Sequence, residues 1–322
     1  MKSAAATILI AGAGQLGSRY LQGLAKCRLP LMIYVQDISA EPLVRAKERW
    51  DEVHGAKTRH FVSFHTSFEL LTRQCDIAIV ATNADVRPQV IARIANQSKV
   101  RFWVLEKVLV QSEAGLDEIM ANIGIGSSAW VNTMRRMLPW HQQLKLQLGL
   151  ESPLVLKVDG GKWGLACNAV HFLDLLAWWT GETLQEVSTD HLSQRWFEGK
   201  RQGNWEVLGT LVAKFSGGSQ AWLSAGDGEP CYTITLSDHH RSCKINEEEG
   251  LASCSDGVEI PGSRLPYQSE LSADLVESIL ESGVCGLPTL EESVAIHRVF
   301  IRSIFSHWKQ AVDPAAICVP IT

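Results

Sequence analysis

Along the first 125 or so residues, short apolar runs alternate with stretches whose apolar positions recur at helical spacing. "ATILIAG" (6–12), "LMIYVQD" (31–37), "CDIAIVAT" (75–82) and "RFWVLEK" (101–107) are continuous apolar runs, and "RHFVSF" is a shorter one. Continuous rather than alternating apolar runs predict strands covered on both faces, as in a parallel sheet. Between them, "QLGSRYLQGLAKC", "AEPLVRAKERWDEVH", "DVRPQVIARIANQ" and "SEAGLDEIMANI" predict helices, with Pro42 suited to the first turn of the second. This strand–helix alternation predicts a doubly wound α/β domain.

The pattern changes near residue 127. "SAWVN" (128–132) fits a last strand of the first domain, "MRRMLPWHQQLKLQL" a helix interrupted by Pro139, and "PLVLKVDGG" a strand. Residues 165–180 fit a helix ending at Gly181. From 183 to 260, runs such as "LGTLVAKFSGG", "SQAWLSAG", "CYTITLSD" and "SCKINEEEG" follow one another across Gly, Asp and Asn turns, which predicts an antiparallel sheet. Two helices follow, around 270–282 and 290–311. The expected class is therefore α/β: an N-terminal doubly wound parallel sheet over 1–126, then a C-terminal α+β domain over 127–322 with an open, largely antiparallel sheet. A chain of 322 residues has the length for two such domains.

Composition removes several function classes. The formal net charge of -5 gives no global basic field for nucleic acid. The apolar runs fall far short of the roughly 18 to 20 residues that cross a bilayer. The opening "MKSAAATILIAGAG" could pass for a signal peptide, but its apolar run leads straight into a glycine motif that needs it as a strand. The eight cysteines form no C-x-x-C pair and match no zinc spacing. They are expected to be reduced, mostly buried thiols of a cytoplasmic protein, with no metal site.

Three places carry candidate chemistry. Gly12, Gly14 and Gly17 form G-x-G-x-x-G directly after a predicted strand and at the start of a predicted helix. Gly12 permits the tight turn, Gly14 the approach of a pyrophosphate and Gly17 close helix–strand packing. Gln15 and Leu16 then lie in the helix's first turn, whose N–H groups face the phosphates. Asp37, 20 residues after Gly17, can accept hydrogen bonds from ribose hydroxyls and would repel a 2′-phosphate, so NAD is favoured over NADP. Second, Thr82 and Asn83, and Glu106 and Lys107, end two buried strands at the edge where such sheets bind ligands. Thr82 and Asn83 either meet a nicotinamide or cap the next helix. Lys107 is either a solvated loop residue or a group aimed into the cleft. Third, His171 shares a helix face with Cys167, Asn168 and Asp174. It is either a proton-transfer group or a buried histidine bonded to a carbonyl or to Asp174.

The glycine fingerprint, the "EK" pair after the fifth strand, and H-x-x-D on a helix behind a "GG" loop occur in this order and at these intervals. Together they resemble the Gfo/Idh/MocA family of oxidoreductases over essentially the full chain. The resemblance implies a Rossmann domain, then an α/β domain whose open sheet makes a homodimer or homotetramer. It implies oxidation or reduction of a sugar or cyclitol carbon with NAD(P), with Lys107 and His171 lining the substrate site. His171 would then be the general acid–base and Lys107 the group that steadies the reacting oxygen. Asn168 would position a substrate hydroxyl. Arg135 and Arg136, past the domain junction, are candidates to bind a carboxylate or phosphate. Lys162 and Trp163 on the "GGKWG" loop are similar candidates, and Tyr267 and Gln268 further ones.

Three positions depart from the family pattern. Val108 stands where proline usually follows "EK", Asn83 where proline follows the threonine, and Cys167 where an aspartate often precedes the histidine. Two other readings stay open: a dinucleotide-binding sensor or scaffold without turnover, and a reductase of a non-sugar double bond such as an imine or tetrapyrrole.

Overall fold

The computed structural model describes residues 5–53, 59–69, 71–124, 128–147 and 153–322. Contacts divide the chain into two units. Met1–Glu106, Gly115–Asn132 and Pro266–Thr289 form the first; Lys107–Ala114, Thr133–Leu265 and Leu290–Thr322 form the second. The cut expected between 126 and 127 lies outside the described residues. The chain enters each unit more than once.

In the first unit, β1 (Ala6–Ala11), β2 (Leu31–Gln36), β3 (Phe61–His65), β4 (Gln74–Val80), β5 (Lys99–Leu105) and β6 (Ser128–Val131) make one parallel sheet in the order β3-β2-β1-β4-β5-β6. Ile8, Ile10, Ile33, Val35, Ile77, Ile79 and Val104 are fully buried, as continuous apolar runs require. The connecting helices are α1 (Gln15–Leu24), α2 (Ala40–Asp51), α3 (Arg87–Gln97) and α4 (Glu113–Ile123).

The same unit also takes α7 (Gln268–Ser282), which the sequence reading placed in the C-terminal domain. Gly23 explains the packing. A Cβ there would lie 2.7 Å from the Ser269 carbonyl oxygen and 2.8 Å from Ser272 Cβ, so only a bare glycine lets α7 lie this close to α1. A buried polar network completes the join. Asn132 Nδ2 lies within hydrogen-bond reach of Tyr20 Oη at 2.7 Å, Glu106 Oε1 at 2.7 Å and Gln268 Oε1 at 2.8 Å, and Tyr20 donates to Glu106 at 2.6 Å. Periodicity cannot reveal such an association between segments so far apart in the chain.

In the second unit, eight strands pair in the order β14-β13-β12-β11-β7-β10-β9-β8. They are β7 (Val155–Gly160), β8 (Leu184–Glu198), β9 (Trp205–Phe215), β10 (Gln220–Ala225), β11 (Tyr232–Ser237), β12 (Ser242–Asn246), β13 (Leu251–Cys254) and β14 (Glu259–Pro261). Only β7 and β10 pair in parallel, so the sheet is largely antiparallel as expected. One face packs on α6 (Leu165–Thr180) and α8 (Leu290–Ala311). Leu156, Val158, Leu211 and Leu223 of the sheet share a core with Val170, Leu173, Phe300 and Ile304.

Two local readings change. Pro139 does not interrupt a helix. A 3-10 turn (Met134–Met137) precedes it, and α5 (Pro139–Gln147) begins on it, where its missing N–H is no loss. The cysteines are not all free thiols. Cys243 and Cys254 stand opposite each other on β12 and β13, with Cα atoms 4.0 Å apart, and form a disulfide.

Beneath α6, Arg136 donates from Nε to Asp174 Oδ2 at 2.9 Å and from Nη2 to Oδ1 at 2.6 Å, and the Thr133 hydroxyl adds a bond of 2.8 Å. Both charged side chains are buried. Arg136→Met would leave that carboxylate inside with one neutral donor. We expect it to lower unfolding stability by roughly 3–5 kcal/mol, read as a fall in the urea midpoint at unchanged slope. An unchanged midpoint would show that the pair contributes nothing.

Candidate functional site

In the first unit, the glycine loop joins β1 to α1. Gly12 holds φ at +92°, and a Cβ there would lie 2.9 Å from the Ala81 carbonyl carbon. A Cβ on Gly17 would lie 1.8 Å from the Gly12 carbonyl oxygen. Those two glycines are demanded by the protein itself. Gly14 differs, because a Cβ there would meet nothing within 4 Å. The side of the loop at Gly14 is open, and it lies at the N-terminus of α1, which has no side-chain cap and no acidic residue in its first turn. Gln15 and Leu16 are in that turn. A helix start of this kind presents unpaired N–H groups to an anion.

Asp37 follows β2 beside the loop. Its Oδ2 accepts the Ala13 N–H at 2.8 Å and its Oδ1 the Ser39 N–H at 3.0 Å. Each oxygen keeps acceptor capacity for a ribose hydroxyl. After β4, the Thr82 hydroxyl is buried without a partner among the described residues, and Asn83 is exposed beside it. Glu106 is 4 % exposed and sits in the Tyr20–Asn132 network, along with Gln268. Tyr267 caps α7 and is largely exposed.

In the second unit, Lys107 is held at the N-terminus of α6. Its ammonium donates to the Cys167 carbonyl at 3.2 Å, to Cys167 Sγ at 3.3 Å and to Asn168 Oδ1 at 3.0 Å. Lys107 is therefore not a solvated loop residue. Asn168 is oriented in turn by donating from Nδ2 to the Trp163 carbonyl at 2.9 Å. The peptide after Lys107 is cis, with Val108 in place of proline.

Cys167 and Asn168 open onto a cavity of about 470 Å³, of a size for a small-molecule ligand. Trp163, Phe197 and Trp205 supply aromatic wall, Lys162, Lys200 and Arg201 positive charge, and Glu198 and Glu206 negative charge. Lys162 is half-exposed and ion-paired with Asp227, while Trp163 is buried and donates from Nε1 to the Ser224 carbonyl at 2.8 Å.

The sequence reading missed Glu206. It comes from β9, and its carboxylate accepts the Ala166 N–H at 2.8 Å and the Cys167 N–H at 3.2 Å, capping the first turn of α6 from outside the helix. Burial pushes its carboxyl up to about 7, against the opposing pull of those N–H groups and Lys107. Its only sequence signal is an acidic residue opening an otherwise apolar strand.

His171 lies one turn further along α6. It is not bonded to Asp174, which pairs with Arg136. Its Nδ1 is buried without a partner among the described residues. Burial, followed by the charges of Lys107 and Arg135, holds its pKa well below the usual imidazole range.

Arg135 and Arg136, candidates to bind a carboxylate or phosphate, line no part of the cavity, and neither Lys107 nor His171 lines it directly. Arg135 donates to Glu247 from Nε at 2.8 Å and from Nη2 at 2.7 Å, and lies 4.5 Å over the Phe172 ring. Tyr232 and His141 also bond Glu247, each at 2.8 Å. Glu247 looks like a turn residue in "NEEEG", but it is 5 % exposed and is the hub that holds Arg135 inside.

No protein-family model matches the chain, and no curated protein matches it in sequence. Solved structures do match in fold. UDP-N-acetylglucosamine 3-dehydrogenase GnnA from Acidithiobacillus ferrooxidans is 17 % identical, with 96 % of this chain and 98 % of that one covered and a TM-score of 0.69. Scyllo-inositol dehydrogenase from Lactobacillus casei, with bound NAD(H) and scyllo-inositol, is 14 % identical, with 95 % and 98 % covered and a TM-score of 0.67. A super-repressor mutant of Gal80p from Saccharomyces cerevisiae is 13 % identical, with 96 % and 97 % covered and a TM-score of 0.71. The chain thus shares the two-domain fold of these solved structures, the architecture that the sequence motifs led us to expect.

Glu206 makes stability depend on pH. Its folded pKa lies above the ordinary 4.5, so the folded chain binds this proton more tightly than the unfolded one. Its contribution to stability therefore falls as pH rises from about 4.5 to about 7 and is flat above. Urea midpoints measured from pH 4.5 to 8 should show this decline in the wild type and its absence in Glu206→Gln. An identical slope in both proteins would exclude it.

Proposed function

We propose that the protein is an NAD(H)-dependent oxidoreductase that moves hydride to or from a carbinol or keto carbon of a sugar, sugar acid or nucleotide-activated sugar. The observation that carries this reading is the Lys107 ammonium, held behind the cavity wall by Cys167 and Asn168, which line the cavity, in a chain with this fold. The residues of the glycine loop fit a dinucleotide. Gly14 leaves room for a pyrophosphate, the uncapped start of α1 supplies N–H donors, Asp37 keeps ribose acceptors, and the unpartnered Thr82 hydroxyl awaits a polar group. Asn83 stands beside it. The Asp37 carboxylate favours NAD over NADP. Bound there, the dinucleotide supplies a hydride acceptor or donor at its nicotinamide ring.

The chain's own residues do the rest. Lys107 hydrogen-bonds the reacting oxygen and stabilises the negative charge that develops on it. His171, kept neutral, accepts a hydrogen bond from the reacting hydroxyl. Asn168 orients a neighbouring hydroxyl. Trp163 and Lys162 hold the outer part of the substrate. Self-association through the open face of the eight-stranded sheet is part of the proposal, supported by Trp222, Lys157 and His191 on that face, where Trp222 is 36 % exposed.

A sensor without turnover is the second reading, favoured by Cys167 at the position where the family often has aspartate. One experiment separates the two. NADH and NADPH are titrated by fluorescence, alone and with UDP-N-acetylglucosamine, scyllo-inositol or glucuronate. We expect tighter binding of NADH, strengthened by one of these ligands, and reduction of NAD with that ligand. NADH binding without turnover on any of them would favour the sensor, and binding of neither nucleotide would sink both.

Two variants sharpen the test. Gly14→Val should abolish NADH binding while moving the melting temperature by less than about 2 °C, since its side chain meets only the space reserved for phosphate. His171→Ala should lower turnover about 100-fold and leave NADH affinity unchanged.

A further inference from the structure

The proton released when a carbinol is oxidised needs a group to hold it. His171 is a weak candidate, because burial and two neighbouring cations oppose its protonation. The cavity lined by Cys167 and Asn168, one turn before His171 on α6, offers another. Glu206 lines it together with Cys167 and Asn168, the two residues that hold Lys107. Both Glu206 oxygens are oriented by the first N–H groups of α6. The titratable and charged groups around it are Lys107 after β5, Cys167 on α6, Lys162 before α6, and Glu198, Lys200 and Arg201 at the β8–β9 turn.

We propose that Glu206 is the proton-holding group of this cavity: as hydride leaves a bound carbinol carbon, the hydroxyl proton passes to the Glu206 carboxylate. This rests on the oxidoreductase reading. The C–H bond breaks and its electron pair leaves with the hydrogen as hydride, for which a bound dinucleotide would supply the acceptor. The O–H bond breaks and its electron pair becomes the second carbon–oxygen bond. The proton forms an O–H bond on Glu206, turning carboxylate into carboxylic acid. Lys107 keeps its charge throughout and steadies the oxygen, while His171 orients the hydroxyl. Reduction is the reverse. The elevated carboxyl of Glu206, at about 7, lets it take and release a proton near neutrality.

The test uses the full chain, uniformly labelled with carboxyl-13C glutamate, with Glu206→Gln and Glu206→Asp beside the wild type. In NMR titrations of the protein alone, we expect one glutamate signal to titrate near neutral pH and to vanish in Glu206→Gln. With NAD and whichever ligand above is oxidised, Glu206→Gln should lower turnover about 100-fold and flatten its pH dependence, and Glu206→Asp should restore most of both. A near-neutral signal that survives Glu206→Gln, or a pH profile unchanged in shape, would overturn the proposal. So would equal melting losses in both variants with turnover otherwise intact, because that is the mark of a helix cap and nothing more. Failure of the oxidoreductase reading shows separately, as absent NADH binding, since the carboxyl titration requires no cofactor.

Discussion

A helix that starts inside a protein must find acceptors for its first N–H groups, and the second unit is organised by that need. α6 begins at Gly164, which adopts φ of +83° and contributes no side-chain cap. Two N–H groups of its first turn would otherwise face the interior unpaired, at a cost of about 1–3 kcal/mol each. Glu206 reaches across from β9 to bond them. The same turn directs the Cys167 carbonyl and the Asn168 amide at Lys107. One backbone requirement therefore gathers an acid, a thiol and an amide on the wall of one cavity, with the Lys107 cation bonded behind the last two.

The strands of the first sheet, and β7 and β9 to β12 of the second, were legible because each carries its own burial pattern, whereas β8, β13 and β14 were not singled out. The glycine loop was legible for a similar reason: its function depends on residues within six positions of one another. Lys107 and Asn168 were singled out too, but separately: Asn168 from its helix face with His171, and Lys107 with His171 only through likeness to known enzymes. What was hidden was long-range. Glu206 stands beside Cys167 and Glu247 beside Arg135, yet nothing local distinguishes either from a solvated acid. The pairing of Arg135 with Glu247 and of Arg136 with Asp174 was hidden for the same reason, since these partners lie far along the chain.

The three departures from the family pattern fall unevenly. Val108 and Asn83 replace prolines without changing which residues surround them in sequence. Cys167 replaces a charge. Its thiol donates to the Thr322 main-chain oxygen at 2.6 Å and accepts from Lys107 at 3.3 Å, so it bridges the lysine to the tail segment instead of supplying an anion. The anion beside α6 comes from the sheet.

The docking of α7 on α1 has a consequence for how the chain is built. Residues 268–282 complete a unit whose first strand is residues 6–11. During synthesis, the parallel sheet emerges long before the helix that covers Gly23, and the second unit's sheet is translated in between. Contacts of such large sequence separation close late and slow the folding of the unit that needs them. Until α7 arrives, the nascent chain displays a glycine-flattened helix face and the half-made Asn132 network. The first unit therefore depends on the ribosome finishing most of the second.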